Sequence, residues 1–342
     1  MSLAPSPRAF ITGCAGTSLS PGEAAFLKET APWGLILFRR NVADPAQVAG
    51  LVAAFRAAVG RADAPVLIDQ EGGRVQRLAP PLWPAYPPAE VFARRAEAGD
   101  LDGAAGAARL GARLMAADLA ALGINVDCVP CADLRLPEGH GIIGDRAYGA
   151  TPAQVAHLAR AAAEGLMSGG VLPVLKHIPG HGRARADSHE SLPVVETSRA
   201  ELEATDFAPF RLLADLPLGM TAHVVYTAID ADFPATTSKR VIHDVIRGHI
   251  GFDGALMSDD LSMGALAGSL AGRAEAAFAA GCDLALHCNG RLDEMAEVAS
   301  RSPVLAGDAE RRCAAALARL KPAEHIVRSE AQARFSAMIA AS

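Results

Sequence analysis

The 342 residues are 51% hydrophobic and 20% charged, enough apolar material for a sizeable core and far from the composition of a disordered chain. A formal net charge of -6 leaves no basic footprint for a nucleic-acid backbone or an anionic lipid surface, so neither is an expected partner. No uncharged apolar run reaches the roughly 18 residues a membrane span needs, and six cysteines are too few for a disulfide scaffold, which points to a reducing compartment, the cytoplasm.

Along the chain, short β-prone runs alternate with segments of helical periodicity, the pattern of repeated βα units on a parallel sheet. The first run is Phe10 to Gly13. With Cys14 it superficially matches a lipoprotein cleavage site, but Pro7 upstream and the lack of a basic leader favour a strand. Leu35 to Phe38 follows, then Asp44-Pro45 opens a helix whose stripe of Val48, Leu51, Val52, Phe55 and Val59 is expected to face the core. Val66 to Asp69 and Ile124 to Val129 are the third and fourth strands. Cys128 and Cys131 read as buried thiols, because no second pair accompanies them to hold zinc. Thr151-Pro152 starts the helix before the fifth strand, Val171 to His177. Ser198 and Glu201 have capping-box spacing, with Leu202 and Phe207 to bury behind them. Met220 to Val224, Ala255 to Ser258 and Asp283 to His287 complete a set of eight. The order predicts an α/β fold, a single TIM-type (β/α)8 barrel over residues 1–320, followed by a helical tail over 321–342.

A barrel of this kind places its chemistry at the carboxyl ends of the strands, and unusual polar residues gather there. Strand three runs into Asp69-Gln-Glu-Gly-Gly-Arg74, strand five ends in Lys176-His177, strand six contains His223, and strand seven runs into Ser258-Asp259-Asp260. The loop after strand four adds Arg146, and the loop after strand five holds Asp187 and His189. Pro179, Gly180 and Gly182 break the helix on which His177 and His181 could bind a metal from one face, so no metal is expected there. Asp187 and His189 are spaced so that a turn brings carboxylate against imidazole, an arrangement that tunes a proton donor. Of the two adjacent aspartates, alternation along a strand makes one reactive and the other supportive, with Asp260 expected to cap the next helix.

Five motifs in order carry a family resemblance: Gly34-Leu-Ile-Leu-Phe-Arg-Arg-Asn41, Asp69-Gln-Glu-Gly-Gly-Arg-Val-Gln-Arg77, Lys176-His-Ile-Pro-Gly-His-Gly182, Asp187-Ser-His189 and Ser258-Asp-Asp-Leu-Ser-Met263. The chain resembles the glycoside hydrolase family 3 enzymes, in particular their bacterial β-N-acetylhexosaminidases, from the first strand to about Ser302. Ile178 stands where phenylalanine is more usual, and Asp145 where glutamate is common.

The resemblance implies a retaining exo-β-N-acetylglucosaminidase that needs neither metal nor cofactor. It would remove terminal β-1,4-linked N-acetylglucosamine from anhydro-muramyl peptides, with or without the peptide, in peptidoglycan recycling. By residue, it makes Asp259 the nucleophile, His189 the general acid/base and Asp187 its carboxylate partner, with Asp69, Arg77, Arg146, Lys176 and His177 gripping the sugar. Histidine in place of the usual second carboxylate would not repel an anionic acceptor. This makes a β-N-acetylglucosaminide phosphorylase the rival activity at the same site. A non-catalytic sugar-binding barrel and a metal-dependent hydrolase barrel are the readings from other classes.

Overall fold

A computed structural model describes residues 6–340; the ends of the two expected regions, residues 1–5 and 341–342, lie outside it. Eight parallel strands close into a barrel: β1 (Arg8–Thr12), β2 (Pro32–Leu37), β3 (Val66–Ile68), β4 (Val126–Asp127), β5 (Leu172–Ile178), β6 (Leu218–Thr221), β7 (Ala255–Asp260) and β8 (Leu284–His287). Each pairs with its neighbours in sequence, and β1 closes on β8 with Phe10 opposite Ala285. Closure removes every edge from the main sheet.

Side chains alternate across the strands. Ala9 and Ile11, Leu67, Leu172 and Val174, Ala255 and Met257, and Leu284 and Leu286 fill the barrel, whereas Phe10, Val66 and Ile68, Leu175, Leu256 and Ala285 pack outward under the helices. Among those helices, α1 (Pro21–Thr30) is held by a capping box between Ser20 and Glu23. In α2 (Pro45–Val59), Asp44 accepts from the Gln47 amide, and all five residues of the expected stripe are buried. Between β3 and β4 come α3 (Ala89–Glu97) and α4 (Leu101–Ala120), and α5 (Pro152–Ser168) precedes β5.

Three expectations shift. The fourth strand is regular only over Val126–Asp127, although backbone bonds to its neighbours continue at Asn125, Cys128 and Val129; side chains add to the pairing, with Asn125 accepting from the Val66 amide at 2.8 Å and Asp127 from the Gln70 amide at 2.9 Å. The sixth ends at Thr221, so His223 lies beyond the strand. The helix capped by Ser198 stops at Ala204, and Phe207 is buried in the turn after it. The chain beyond Lys321 is helical from Arg328 to Ala340 and lies on α4, with Phe335 buried and Tyr86 donating at 2.6 Å to Asp118, which also pairs with Arg328. No helix among the described residues is long and apolar enough to cross a membrane.

Candidate active site

The alternation that fills the barrel also builds the site. Two residues beyond the last inward hydrophobic of a strand, the next inward position falls at the carboxyl rim. Ile36 leads to Phe38, Leu67 to Asp69, Val174 to Lys176, Met257 to Asp259 and Leu286 to Cys288, and the second residue of each pair lines one cavity of about 330 Å³. A larger groove of about 930 Å³ runs past Phe233, Pro234, Leu266 and Ala276. Its acidic residues and His243 lie away from the strand ends, and it contains none of Asp69, Lys176, His177, His189 and Asp259, so the smaller cavity is the candidate active site.

Its floor is a charged network. Asp69 accepts from Arg77 at 2.9 Å and Lys176 at 3.0 Å; Glu71 pairs with Lys176 at 2.7 Å and, through two bonds of 2.8 and 2.9 Å, with Arg146. Burial opposes ionisation of both carboxyls, but the facing cations outweigh it. Asp69 is held far below the usual carboxylate range and Glu71 is lowered to about 2. Phe38 is flanked by the guanidinium groups of Arg40 and Arg77, 5.0 and 5.2 Å from its ring centre.

Asp259 and Asp260 both line the cavity, which strict alternation would forbid; the β7–β8 register shifts between Met257 and Asp260 and supplies the bend. Asp260 accepts from the Ser262 amide at 3.0 Å, the Ser262 hydroxyl at 2.6 Å and the Cys288 amide at 3.1 Å. It therefore braces the turn after β7. The expectation that it caps the next helix is wrong, because α6 (Leu270–Ala280) is capped by Ser269, which accepts from the Gly272 amide. Among the described residues, Asp259 accepts only from the Asp260 amide, at 2.8 Å. Burial pushes its carboxyl up, but the neighbouring His177 and His223 overcome this and leave it below its usual range. The His223 ring is fixed by Thr236 at 2.7 Å and the Asp260 carbonyl at 3.0 Å.

Opposite, Nδ1 of His189 lies 2.8 Å from Asp187, which also accepts from the His189 amide at 2.9 Å. Burial raises the Asp187 carboxyl, but those bonds and the His189 charge hold it below its usual range. The His189 side chain is 63% exposed yet lines the same cavity as Asp259. Beneath this loop the buried Asp133 gathers Nδ1 of His177 at 2.7 Å and the His181 amide at 2.6 Å, and Nε2 of His181 meets the Ser188 hydroxyl at 3.0 Å. Burial opposes ionisation of Asp133, and the two histidines bring it down to about 2.

Cys131, Asp133 and His177 bring three ligand atoms within 4.8 Å of one another, a trio that the His177–His181 spacing does not reveal. Asp133 Oδ2 already accepts from the Cys131 thiol at 3.3 Å and faces His177 at 2.7 Å, so a cation would have to displace protons from both.

Asp69, Arg77, Arg146, Lys176, His177, His189 and Asp259 thus share one cavity, with Asp187 behind His189. The sequence reading assigned no role to Asp133 or to the Glu71 bridge. Glu71 stands in the polar run after β3 that marked Asp69, whereas Asp133 lies well past the end of β4 and carries no such strand-end signal.

The Glycosyl hydrolase family 3 N terminal domain profile matches residues 17–321. A Beta-hexosaminidase of Alkalilimnicola ehrlichii is 42% identical over 292 residues, which is 81% of this chain and 79% of that protein. Native NagZ from Neisseria gonorrhoeae superposes with a TM-score of 0.85 at 34% identity, covering 99% of this chain and 98% of that one. A structure of the same Neisseria protein in complex with N-trifluoroacetyl-D-glucosamine matches with a TM-score of 0.85 at 33% identity, over 99% and 98% of the two chains. The chain belongs to glycoside hydrolase family 3, as a β-N-acetylhexosaminidase.

Proposed function

We propose that this enzyme is a retaining exo-β-N-acetylglucosaminidase that releases terminal N-acetylglucosamine from anhydro-muramyl peptides by way of a covalent intermediate on Asp259. The observation that carries the reading is that an unbridged, ionised Asp259 and the His189–Asp187 pair line one cavity. Asp259 attacks the anomeric carbon while His189 protonates the departing oxygen. Asp187 holds Nδ1, which leaves Nε2 to give the proton in the first step. In the second step the neutral imidazole takes a proton from water, and attack from the face of the leaving group restores the original configuration.

Asp69, Arg77, Arg146, Lys176 and His177 supply charge-assisted donors and acceptors for hydroxyls and the acetamido group. The acetamido preference rests on family membership and on the relative solved with an N-acylated glucosamine. The six cysteines are all buried and unpaired, which suits a reducing compartment, and we place the activity in the cytoplasm.

Purified enzyme is expected to cleave an aryl N-acetyl-β-glucosaminide, and a 2-fluoro sugar probe is expected to label the peptide at Asp259. A label on Asp260, or product first appearing as the α anomer, overturns the mechanism. N-acetylglucosamine 1-phosphate as the main product in phosphate buffer would replace hydrolase by phosphorylase.

A further inference from the structure

We infer that Gly264 and Ala265, in the loop that follows the nucleophile strand, are positioning residues for the acid/base His189. The Gly264 amide donates to the His189 carbonyl and the Ala265 amide to the Ser188 carbonyl, each at 3.1 Å. The loop running on from Asp259 is thus joined, backbone to backbone, to the loop carrying His189.

Other contacts make this junction the outer of two anchors. Ser188 is buried, and its hydroxyl meets Nε2 of His181 on the inner side. His181 is in turn held through its amide by Asp133. The His189 ring, largely exposed, is held by Asp187, a member of the same loop. Its distance from Asp259 therefore depends on where the loop backbone sits, and the two amides of residues 264 and 265 set that position from the nucleophile's side.

Glycine at 264 is required by space. A Cβ there would come within 2.9 Å of both the His189 and Glu190 carbonyl oxygens, inside van der Waals contact with backbone that cannot rotate away. The Gly264 backbone is not in the left-handed region, so an alanine could adopt its conformation and the contact is the only obstacle. Any side chain must push the His189 loop off its anchor. Misplacement on the order of 1 Å is worth about 100-fold in a positioned group, while the nucleophile strand, paired on both sides, stays put.

The inference rests on His189 being the acid/base, and leaving-group chemistry separates the two claims. An aryl glycoside with a 2,4-dinitrophenyl leaving group needs no proton to depart, whereas the plain phenyl glycoside does. For Gly264→Ala, kcat/KM on the phenyl substrate is expected to fall roughly 10- to 100-fold, with kcat/KM on the dinitrophenyl substrate nearly unchanged. The kcat on the latter should drop through slow deglycosylation and be restored by azide, which needs no base. Ala265→Pro removes the other junction bond and sets its Cδ where the amide hydrogen met the Ser188 carbonyl, so it disturbs the same junction by a second route and decides the matter if thermal melting shows that Gly264→Ala is not folded. Equal losses on both substrates, or no loss on either, in the folded variant overturns the positioning role. If His189→Ala itself lacks the split, the acid/base assignment fails and takes this inference with it. If His189→Ala shows the split and the loop variant does not, only the loop inference fails.

Discussion

Glu71 touches two cations that the proposed mechanism assigns to the sugar, and it is nearly buried, as is its bidentate partner Arg146, at 8% and 11% side-chain exposure. Removing one charge from such a network leaves the others desolvated and unmatched, a cost typically of about 3–5 kcal/mol. Glu71→Gln is therefore expected to lower stability by roughly 3 kcal/mol and to raise KM more than it lowers kcat, since the nucleophile and the acid/base are untouched. Denaturant unfolding and steady-state kinetics on the aryl substrate check both. A loss under about 1 kcal/mol, the worth of a surface pair, would mean that the Glu71 contacts are not structural. At this scale the sequence was informative about kinds of residue and less so about partners. Arg146 was recognisable in the loop after the fourth strand and Arg77 through the family motif, but that they sit on Glu71 and Asp69 respectively depends on distances across the barrel mouth. Asp133 escaped notice because the histidines it holds, His177 and His181, lie 44 and 48 residues away along the chain.

Among the elements, α4 and α5 pack against each other at close range. A Cβ on Gly165 would lie 2.2 Å from the Arg109 carbonyl and 2.9 Å from Cβ of Ala112, and one on Gly169 would lie 2.2 Å from Cβ of Ala116. Small residues on both faces let the backbones approach. Gly165→Ala is expected to force the helices apart and cost about 1–3 kcal/mol, although alanine is the better helix former. A melting temperature several degrees lower, with kcat/KM unchanged, is the expected outcome; a stabilised variant would show that propensity outweighs the clash. All eight strands and the start of α5 at Thr151-Pro152 were legible, because alternation and helix-start signals are local. The tightness of this helix pair was not, since Ala- and Gly-rich stretches carry no apolar stripe to reveal what they face. For the same reason Asp260 was misread: a carboxylate before a helix looks like a cap until the eight residues between it and Ser269 are seen to form their own turn.

For the molecule as a whole, the groups under the active-site rim make folding sensitive to acid in two separate windows. His181 is buried, and burial first, then the neighbouring His177, lowers it from 6.5 to about 4. The unfolded chain therefore takes up this proton before the folded one does. The stability gained by keeping His181 neutral is fully present above about pH 6.5 and is lost as the pH falls toward 4. Glu71 and Asp133 ionise more readily in the folded state, each down to about 2, so their contribution is complete above the ordinary carboxylate range and disappears below it. Burial also lowers His223 and His287, which share the first window; the part that belongs to His181 cannot exceed a slope of about 1.4 kcal/mol per pH unit. Urea unfolding between pH 7.5 and 4.5 should show stability falling with acid in the native protein. In His181→Gln, which keeps an amide within reach of Ser188 but cannot titrate, the curve should be flatter down to about pH 4.5, where the carboxylates take over. An unchanged slope in that variant would assign the acid sensitivity to other groups and remove the case for a neutral His181 beneath the His189 loop.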